Sequence, residues 1–180
     1  MHNIARKVIE IYLNEQKIPT YEELWVADHS DMQTKNLSFV TLYKDGKVIA
    51  SSWRINLKKW NTIAELIENA LFCLKDPRFV EAVKNPLEIK NIKVRVDIIS
   101  PDQRKVLQKV DDLDISKQWA VIINQSEWKL GVILPNIANL VSSNKDMFEL
   151  VCAKSGLDST KMKDDDYILY SIESTQYSDF

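Results

Sequence analysis

Apolar residues recur at two spacings along the chain, and these spacings predict a mixture of helices and strands. From Ile4 to Leu13 they return every three or four positions, which is typical of an amphipathic helix that ends before Pro19. Thr20 and Glu23 have the spacing of a capping box for a short second helix. The same periodicity predicts a further helix over 62–74, with a Thr62–Glu65 capping box. It also predicts a helix that carries Met147, Phe148, Leu150 and Val151, with Asn144 as the cap and Gly156 after its C-terminal end.

The strands are predicted as hairpins with tight turns. Leu37–Tyr43 and Val48–Ile55 flank an Asp-Gly pair, and Trp119–Ile123 and Trp128–Leu134 flank a polar turn. Over 92–98, Ile and Val alternate with charged residues, so we expect a strand with one buried face. Tyr167–Ile172 is the last predicted strand, followed by a polar tail after Glu173. The predicted fold class is therefore α+β, an antiparallel sheet built from hairpins with packed helices.

Length and composition limit the domain count and the partners. The 180 residues, 45% hydrophobic and 28% charged, indicate one folded domain, either single or as two lobes sharing a core. A net charge of -2 gives no overall field that would attract nucleic acid, although it does not exclude a local basic patch. No apolar run has the length of a membrane span, and residues 1–14 lack the uninterrupted apolar stretch of a signal peptide, so we expect a cytoplasmic protein without membrane contact.

Cysteines and histidines are too few and too scattered to predict a metal or cofactor site. Cys73 and Cys152 lie in apolar, helix-like stretches, so both are expected to be buried and unpaired. His2 and His29 are the two histidines, and the acidic residues around His29 lack established ligand spacing. We therefore expect a solvated loop at His29, no metal and no cofactor.

Five short segments, in their order along the chain, resemble the AMMECR domain family. The resemblance extends from Ile4 to Glu173 and includes all three glycines. The resemblance implies the family's α+β fold. It also implies a protein partner, because in many bacteria and archaea members of the family look like companions of Memo-type proteins and radical SAM enzymes. The matching segments are Phe39-Val40-Thr41-Leu42 with Lys44-Asp45-Gly46, Asp76-Pro77-Arg78-Phe79, Ile98-Ile99-Ser100-Pro101, Gly131-Val132-Ile133-Leu134-Pro135 and Cys152-Ala153-Lys154-Ser155-Gly156-Leu157.

One departure from that family bears on function. Its signature hexapeptide, Leu-Arg-Gly-Cys-Ile-Gly, corresponds here to Val48-Ile49-Ala50-Ser51-Ser52-Trp53, without the arginine, the cysteine or either glycine. A serine in place of a reactive cysteine would need a neighbouring base, and the sequence indicates none. We therefore name no catalytic residue.

The candidate binding residues lie around that strand and in the Asp76–Phe79 segment. Ser51 and Ser52 are either a nucleophile pair or ordinary strand residues, and we favour the second interpretation. Arg78 either binds an anionic ligand or pairs with Asp76 to brace a loop, and we favour the brace. Trp53 and Arg54 begin a stretch of tryptophans and basic residues that continues through Lys58 and Lys59 to Trp60.

Three function classes remain open. The first, which the lost hexapeptide favours, is a non-catalytic binding or accessory module with a protein partner. The second is an enzyme whose cleft beside residues 48–53 has been rebuilt without the cysteine. The third is an RNA-binding domain that uses residues 53–60, because interleaved tryptophan and lysine can stack on bases and contact phosphates.

Overall fold

A computed structural model describes residues 1–54, 56–135 and 141–180. Within these residues the chain forms two compact units, one of residues 1–100 and 175–180 and the other of residues 101–174. In chain order the helices and strands are α1 (His2–Glu15), α2 (Tyr21–Leu24), β1 (Leu37–Lys44), β2 (Lys47–Ser52), α3 (Thr62–Cys73), α4 (Pro77–Ala82), β3 (Lys93–Ile99), β4 (Arg104–Val106), β5 (Gln118–Asn124), β6 (Lys129–Ile133), α5 (Asn144–Lys154), β7 (Tyr167–Glu173) and β8 (Thr175–Ser178).

The first unit is a four-stranded antiparallel sheet with helices packed on it. Its strand order is β2-β1-β3-β8, and α1 and α3 share a buried apolar cluster with residues of β1 and β3 such as Val40, Leu42, Val94 and Val96. These four residues alternate along their strands, so their side chains point to the same face of the sheet. The helices therefore cover this face.

A second four-stranded antiparallel sheet forms the other unit, with the order β4-β7-β5-β6. Its own apolar cluster includes Ala120 and Ile122 of β5 together with Met147 and Val151 of α5. The α+β class and the hairpin-built antiparallel pairing are confirmed, although the described strands form two sheets where the sequence predicted one.

The first hairpin has the predicted turn. Asp45 and Gly46 have φ angles of 51° and 74°, the left-handed region that a two-residue hairpin turn requires. Strand β2 ends at Ser52, three residues before the predicted end, and Ile55 lies outside the described residues.

Two predicted helix caps are wrong by one residue. Asn61 caps α3 by accepting the Ala64 amide at 2.7 Å, and Ser143 caps α5 in the same manner. Thr62 is instead the first helical residue, and its hydroxyl accepts the Asn36 amide at 2.9 Å. In each case a polar residue stands directly before the predicted cap, and either could have occupied the position. The Thr20–Glu23 capping box of α2 is confirmed.

The prediction that β3 has only one buried face is wrong. Arg95 and Asp97, which alternate with the apolar residues, are also buried. The Arg95 guanidinium donates two hydrogen bonds to the Asp97 carboxylate, Nε to Oδ2 at 2.7 Å and Nη2 to Oδ1 at 2.9 Å. A bidentate pair of this kind lets two charges occupy a covered face, because each satisfies the other's hydrogen-bonding groups.

The prediction that Tyr167–Ile172 is the last strand is also wrong, because residues 175–178 of the polar tail form strand β8, which pairs with β3. Asp179 then fixes the chain end through its carboxylate, which accepts the Arg6 guanidinium at 2.5 Å and the Val94 amide at 2.7 Å. Polar residues at an edge strand carry little hydrophobic signal, so the pattern alone did not mark β8.

Both cysteines have the predicted state. Cys73 and Cys152 are free and fully buried. Burial raises the pKa of the Cys73 thiol well above its usual range, and it raises the pKa of the Cys152 thiol to about 11. Both thiols are therefore protonated at neutral pH.

Candidate functional site

The last two residues of β2 point to opposite faces of the first sheet. Ser51 lies opposite Thr41 and Ser52 lies opposite Val40 on the neighbouring strand. On the helix-covered face, the Ser52 hydroxyl donates to the Asn69 amide oxygen of α3 at 2.9 Å. The Asn69 amide group donates in turn to the Ser38 carbonyl at 3.0 Å. Ser52 therefore belongs to a polar network that ties β2, α3 and β1 together.

Ser51 is connected to the start of α4 through Asp76 and Arg78. Asp76 caps this helix, since its Oδ1 accepts the Arg78 amide at 3.0 Å, and Pro77 occupies the first helical position, where no amide proton is needed. The other carboxylate oxygen, Oδ2, accepts the Ser51 amide at 3.3 Å and the Arg78 Nη2 at 2.6 Å. The predicted pairing of Arg78 with Asp76 is confirmed, and the paired residues begin a helix where the sequence predicted a loop.

Arg78 also reaches the Ser51 side chain. Its Nη2 donates to the Ser51 Oγ at 3.3 Å, so one guanidinium bonds both the carboxylate and the hydroxyl. The hydrogen bonds from the Arg78 side chain are the main cause of a lowered Asp76 pKa, and the same contact raises the Arg78 pKa. This corner of the site therefore holds a fixed ion pair at neutral pH.

Arg54 is held by two carboxylates of α3. Its guanidinium lies 3.4 Å from the Glu65 Oε1, and it also pairs with Glu68. Lys59 contacts the same Glu68, with Nζ 2.9 Å from Oε1. The buried Glu65 further accepts the backbone amides of Lys58 and Lys59 at 3.3 and 3.1 Å. Glu65 therefore anchors both ends of the segment that follows β2.

Trp53 packs against the first sheet. Its ring centroid lies 5.8 Å from that of Phe39, with the ring planes tilted by 30°. This indole is half-buried, whereas Trp60 is exposed and contacts Tyr21 edge to face at 6.0 Å. Of the two tryptophans in this stretch, Trp53 is therefore partly covered by the sheet, whereas Trp60 is open to solvent.

These residues meet at an open cleft of about 440 Å³ in the first unit. Four of the five predicted binding residues line it, and Arg78 reaches it through its bond to Ser51. Its lining consists of Ser51, Ser52, Trp53, Arg54, Phe72, Lys75, Asp76 and Pro77.

Phe72 and Lys75 line this cleft but were not predicted from the sequence as binding residues. Both lie at the C-terminal end of α3, which the pattern predicted only as a core helix. Phe72 is 40% exposed, and the Lys75 Nζ lies 5.0 Å from its ring centroid. A large aromatic residue with a neighbouring cation at a helix end was the available signal.

The cleft has no arrangement of a nucleophile with a base among the described residues. The Ser51 hydroxyl accepts from a guanidinium, which cannot take its proton. His2 lies beside Asp179 at 3.7 Å and His29 lies beside Asp31 at 3.3 Å, so neither histidine lines the cleft.

The His29 loop is organised by its own side chains. The His29 Nδ1 accepts the Asp31 amide at 3.2 Å and so caps a short 3-10 turn. Within residues 1–54, 56–135 and 141–180, no group of three or more histidine, cysteine, aspartate or glutamate residues is placed to hold a metal ion. None of the helices in this part of the chain is both long enough and apolar enough to span a membrane.

Comparison with known proteins decides the family. A family model described as AMMECR1 matches residues 2–177, nearly the whole chain. The chain belongs to the AMMECR1 family. Its fold is similar to that of the uncharacterized protein PH0010 from Pyrococcus horikoshii, with a TM-score of 0.82 at 17% identity over 98% of this chain and 88% of that chain. This AMMECR1 chain has no match among curated proteins. The likeness to PH0010 supports the fold and leaves the activity open.

Proposed function

We propose that the protein is a non-catalytic binding or accessory module and that its ligand surface includes the cleft beside Ser51. The observation that carries this proposal is the pair of hydrogen bonds made by Ser51. Its amide donates to the Asp76 carboxylate and its hydroxyl accepts from the Arg78 guanidinium. This is the position at which the family's hexapeptide has its cysteine. A side chain held by an arginine is suited to positioning the surface and poorly suited to attacking a substrate.

The charged groups around the cleft support this proposal because most of them are paired with each other. Arg54 is shared by Glu65 and Glu68, and Arg78 is held by Asp76. A general acid or base must be free to exchange a proton near neutral pH, whereas the pKa values of the Asp76 and Glu68 carboxyls are lowered, in both cases through hydrogen bonds to basic side chains. An enzyme that uses this cleft would therefore have to rearrange several ion pairs.

RNA binding by residues 53–60 has less support than a protein partner. Of the basic side chains in this stretch, Arg54 and Lys59 are both paired with Glu68. Trp53 packs on Phe39, which leaves Trp60 as the exposed indole. Phosphate contacts require unpaired cations, so these pairs would have to open before RNA could bind.

The partner that we propose is a protein of the Memo-type or radical SAM class. The resemblance to the family implies a partner of this kind. Native mass spectrometry of the protein isolated from its own host tests this directly. We expect a complex with a second polypeptide that dissociates when Arg78→Ala disrupts the cleft, whereas Lys84→Ala leaves it intact. Lys84, which follows α4, is the matched control because its Nζ has one hydrogen bond among the described residues, to the Val80 carbonyl at 3.1 Å.

The alternative functions predict different spectra. A retained small molecule whose mass changes during incubation would support an enzyme. A complex with RNA that dissociates steeply with added salt would support the nucleic-acid function.

A further inference from the structure

An apolar groove runs along one face of α3, beside the cleft. Ala64, Ile67 and Leu71 line it at helical positions i, i+3 and i+7. The groove has a volume of about 550 Å³ and continues to Phe72 and Lys75, which also line the cleft. Since a helix rises about 1.5 Å per residue, α3 is roughly 14 Å long from Ala64 to its end at Cys73, and Lys75 follows two residues later.

The facing wall carries large apolar side chains that remain open to solvent. Ile18 is 65% exposed and Trp60 is 60% exposed, while Tyr21 packs edge-on against Trp60 at the N-terminal end of α3. Phe72 adds a third exposed apolar side chain at the opposite end of the helix. Large apolar residues that cluster at one concave surface mark an interaction site more often than scattered ones do.

Charges of opposite sign lie at the two ends of the groove. Glu22 is next to Tyr21 in α2, and Lys75 follows the C-terminal end of α3. Neither has an ion-pair partner within the described part of the chain, whereas Glu68, which also lines the groove, is neutralised by Arg54 and Lys59. A complementary ligand therefore carries an acidic group at the Lys75 end and a basic group at the Glu22 end.

We infer that this groove binds an amphipathic helix of a partner protein, about three turns long, that lies antiparallel to α3. The apolar stripe of such a helix repeats every three or four residues and fits the exposed side chains along the groove. Acidic residues are favoured in the first turn of a helix and basic residues in the last. The partner's first turn therefore meets Lys75 and its last turn meets Glu22, which sets the antiparallel direction.

This inference rests on the proposed function, because it names the class of protein that the binding module takes. It is tested by selecting peptides of about 16 residues, long enough for four helical turns, from a random display library against the intact chain. Binding of the enriched peptides is then measured by fluorescence anisotropy. Trp60→Ser and Lys75→Glu alter the groove, while Trp25→Ser and Lys58→Glu are matched controls at exposed residues that do not line it.

We expect enriched peptides with apolar residues at helical spacing, acidic residues near the N-terminus and basic residues near the C-terminus. Trp60→Ser should weaken their binding about tenfold, as loss of an aromatic anchor does. Lys75→Glu should weaken it about fivefold and should restore binding to peptides whose acidic N-terminal residues are replaced by basic ones. Both control variants should bind like the parent protein.

Several results would overturn the inference. It fails if no peptide is enriched, if the enriched peptides bind Trp60→Ser unchanged, or if their charges have the opposite order. It fails as well if the chain is a dimer that Trp60→Ser dissociates, or if a uracil oligonucleotide is the ligand that Trp60→Ser loses. Peptides that depend on Arg78 but not on Trp60 would reject the groove and retain the binding module, whereas covalent modification of Ser51 by an acylating probe would reject the module.

Discussion

The Arg78 guanidinium donates to the Ser51 hydroxyl, with Nη2 3.3 Å from Oγ. The same guanidinium bonds the Asp76 carboxylate, which accepts the Ser51 amide, so three residues from β2 and the start of α4 form one closed network. A serine nucleophile needs an acceptor for its proton, and none is placed at the Ser51 hydroxyl within the described residues. Ser51, which corresponds to the cysteine of the family's hexapeptide, therefore contributes to the surface of the cleft.

Ser51→Ala should have little effect on the protein. The substitution removes one hydrogen bond at a half-exposed position, so we expect the free energy of unfolding to fall by less than about 1 kcal/mol. A fluorophosphonate probe should give no adduct at Ser51 in mass spectrometry of the parent protein. Stoichiometric modification that Ser51→Ala abolishes and Ser52→Ala leaves intact would instead establish a nucleophile.

The Asp76 carboxyl should give a pH-dependent contribution to stability. Its pKa is lowered in the folded protein, chiefly by the Arg78 hydrogen bonds, so its contribution is present above the unfolded pKa of about 4 and is lost as the pH falls through the folded pKa. Asn caps helices as well as Asp does, so Asp76→Asn isolates the charge. We expect it to destabilise by about 1 kcal/mol at pH 7, with the difference from the parent protein shrinking below about pH 4.

Urea denaturation across that pH range measures this difference. Glu81→Gln, on α4 and exposed, is the control for a general effect of removing a negative charge. A difference that stays constant down to pH 2.5, or grows, would show that Asp76 stabilises without its charge.

Glu65 should be the most sensitive of the acidic residues near the cleft. Its buried carboxylate accepts two backbone amides and faces Arg54, so Glu65→Ala leaves several polar groups unpaired. We expect a loss of about 3 kcal/mol for Glu65→Ala, and a smaller loss for Glu65→Gln, which keeps an acceptor. Glu68→Gln, at a partly exposed position, should lose under about 1 kcal/mol in the same urea titration. Equal losses for Glu65→Ala and Glu68→Gln would show that the segment after β2 does not depend on Glu65.

Much of the fold could be predicted because local signals agreed with it. Asp45 and Gly46 specify a turn that only a few residue pairs adopt, and the apolar spacing of α1 is that of a helix with one buried stripe. The charged pair Arg95–Asp97 could not be recognised, because alternating charges on a strand are the usual signature of an exposed face. Its burial depends on tertiary packing that strand periodicity does not encode.

The candidate site was predictable only in part for a similar reason. Ser51, Ser52, Trp53 and Arg54 are consecutive in sequence, so one strand end brings them to one place. The glutamates that hold Arg54 lie on α3, which comes next to the strand only when the sheet and helix pack. Contacts between separated segments leave no mark in either segment alone.

Gly131 should tolerate a side chain less well than Gly46. A Cβ at Gly131 would lie 2.1 Å from the Val151 carbonyl oxygen of α5, so the helix or the strand must move. We expect Gly131→Ala to destabilise by about 3 kcal/mol, as overpacking does. Gly46→Ala, where a Cβ meets no atom within 4 Å but φ is +74°, should cost about 1 kcal/mol. The order of the two thermal midpoints checks this, and a lower midpoint for Gly46→Ala would contradict the close packing of β6 on α5.

A thiol placed at Ser51 should react where the natural thiols do not. Cys73 and Cys152 are buried and protonated at neutral pH, so a disulfide reagent should label them slowly in the native protein and fully in denaturant. In Ser51→Cys the new thiol would be half-exposed beside the Arg78 guanidinium, which favours the thiolate.

We therefore expect Ser51→Cys to add one site that labels at least about tenfold faster than the natural thiols, and we expect Arg78→Gln in that background to slow the labelling. Mass spectrometry of the labelled peptides assigns each site. If the new thiol reacts no faster than Cys73, the cleft is closed to reagents. If Arg78→Gln leaves its rate unchanged, the guanidinium does not act on the side chain at this position. The expected result, fast labelling that depends on Arg78, would show that the cleft keeps an environment that activates a cysteine. The serine at position 51 would then be the change that removes the reactivity.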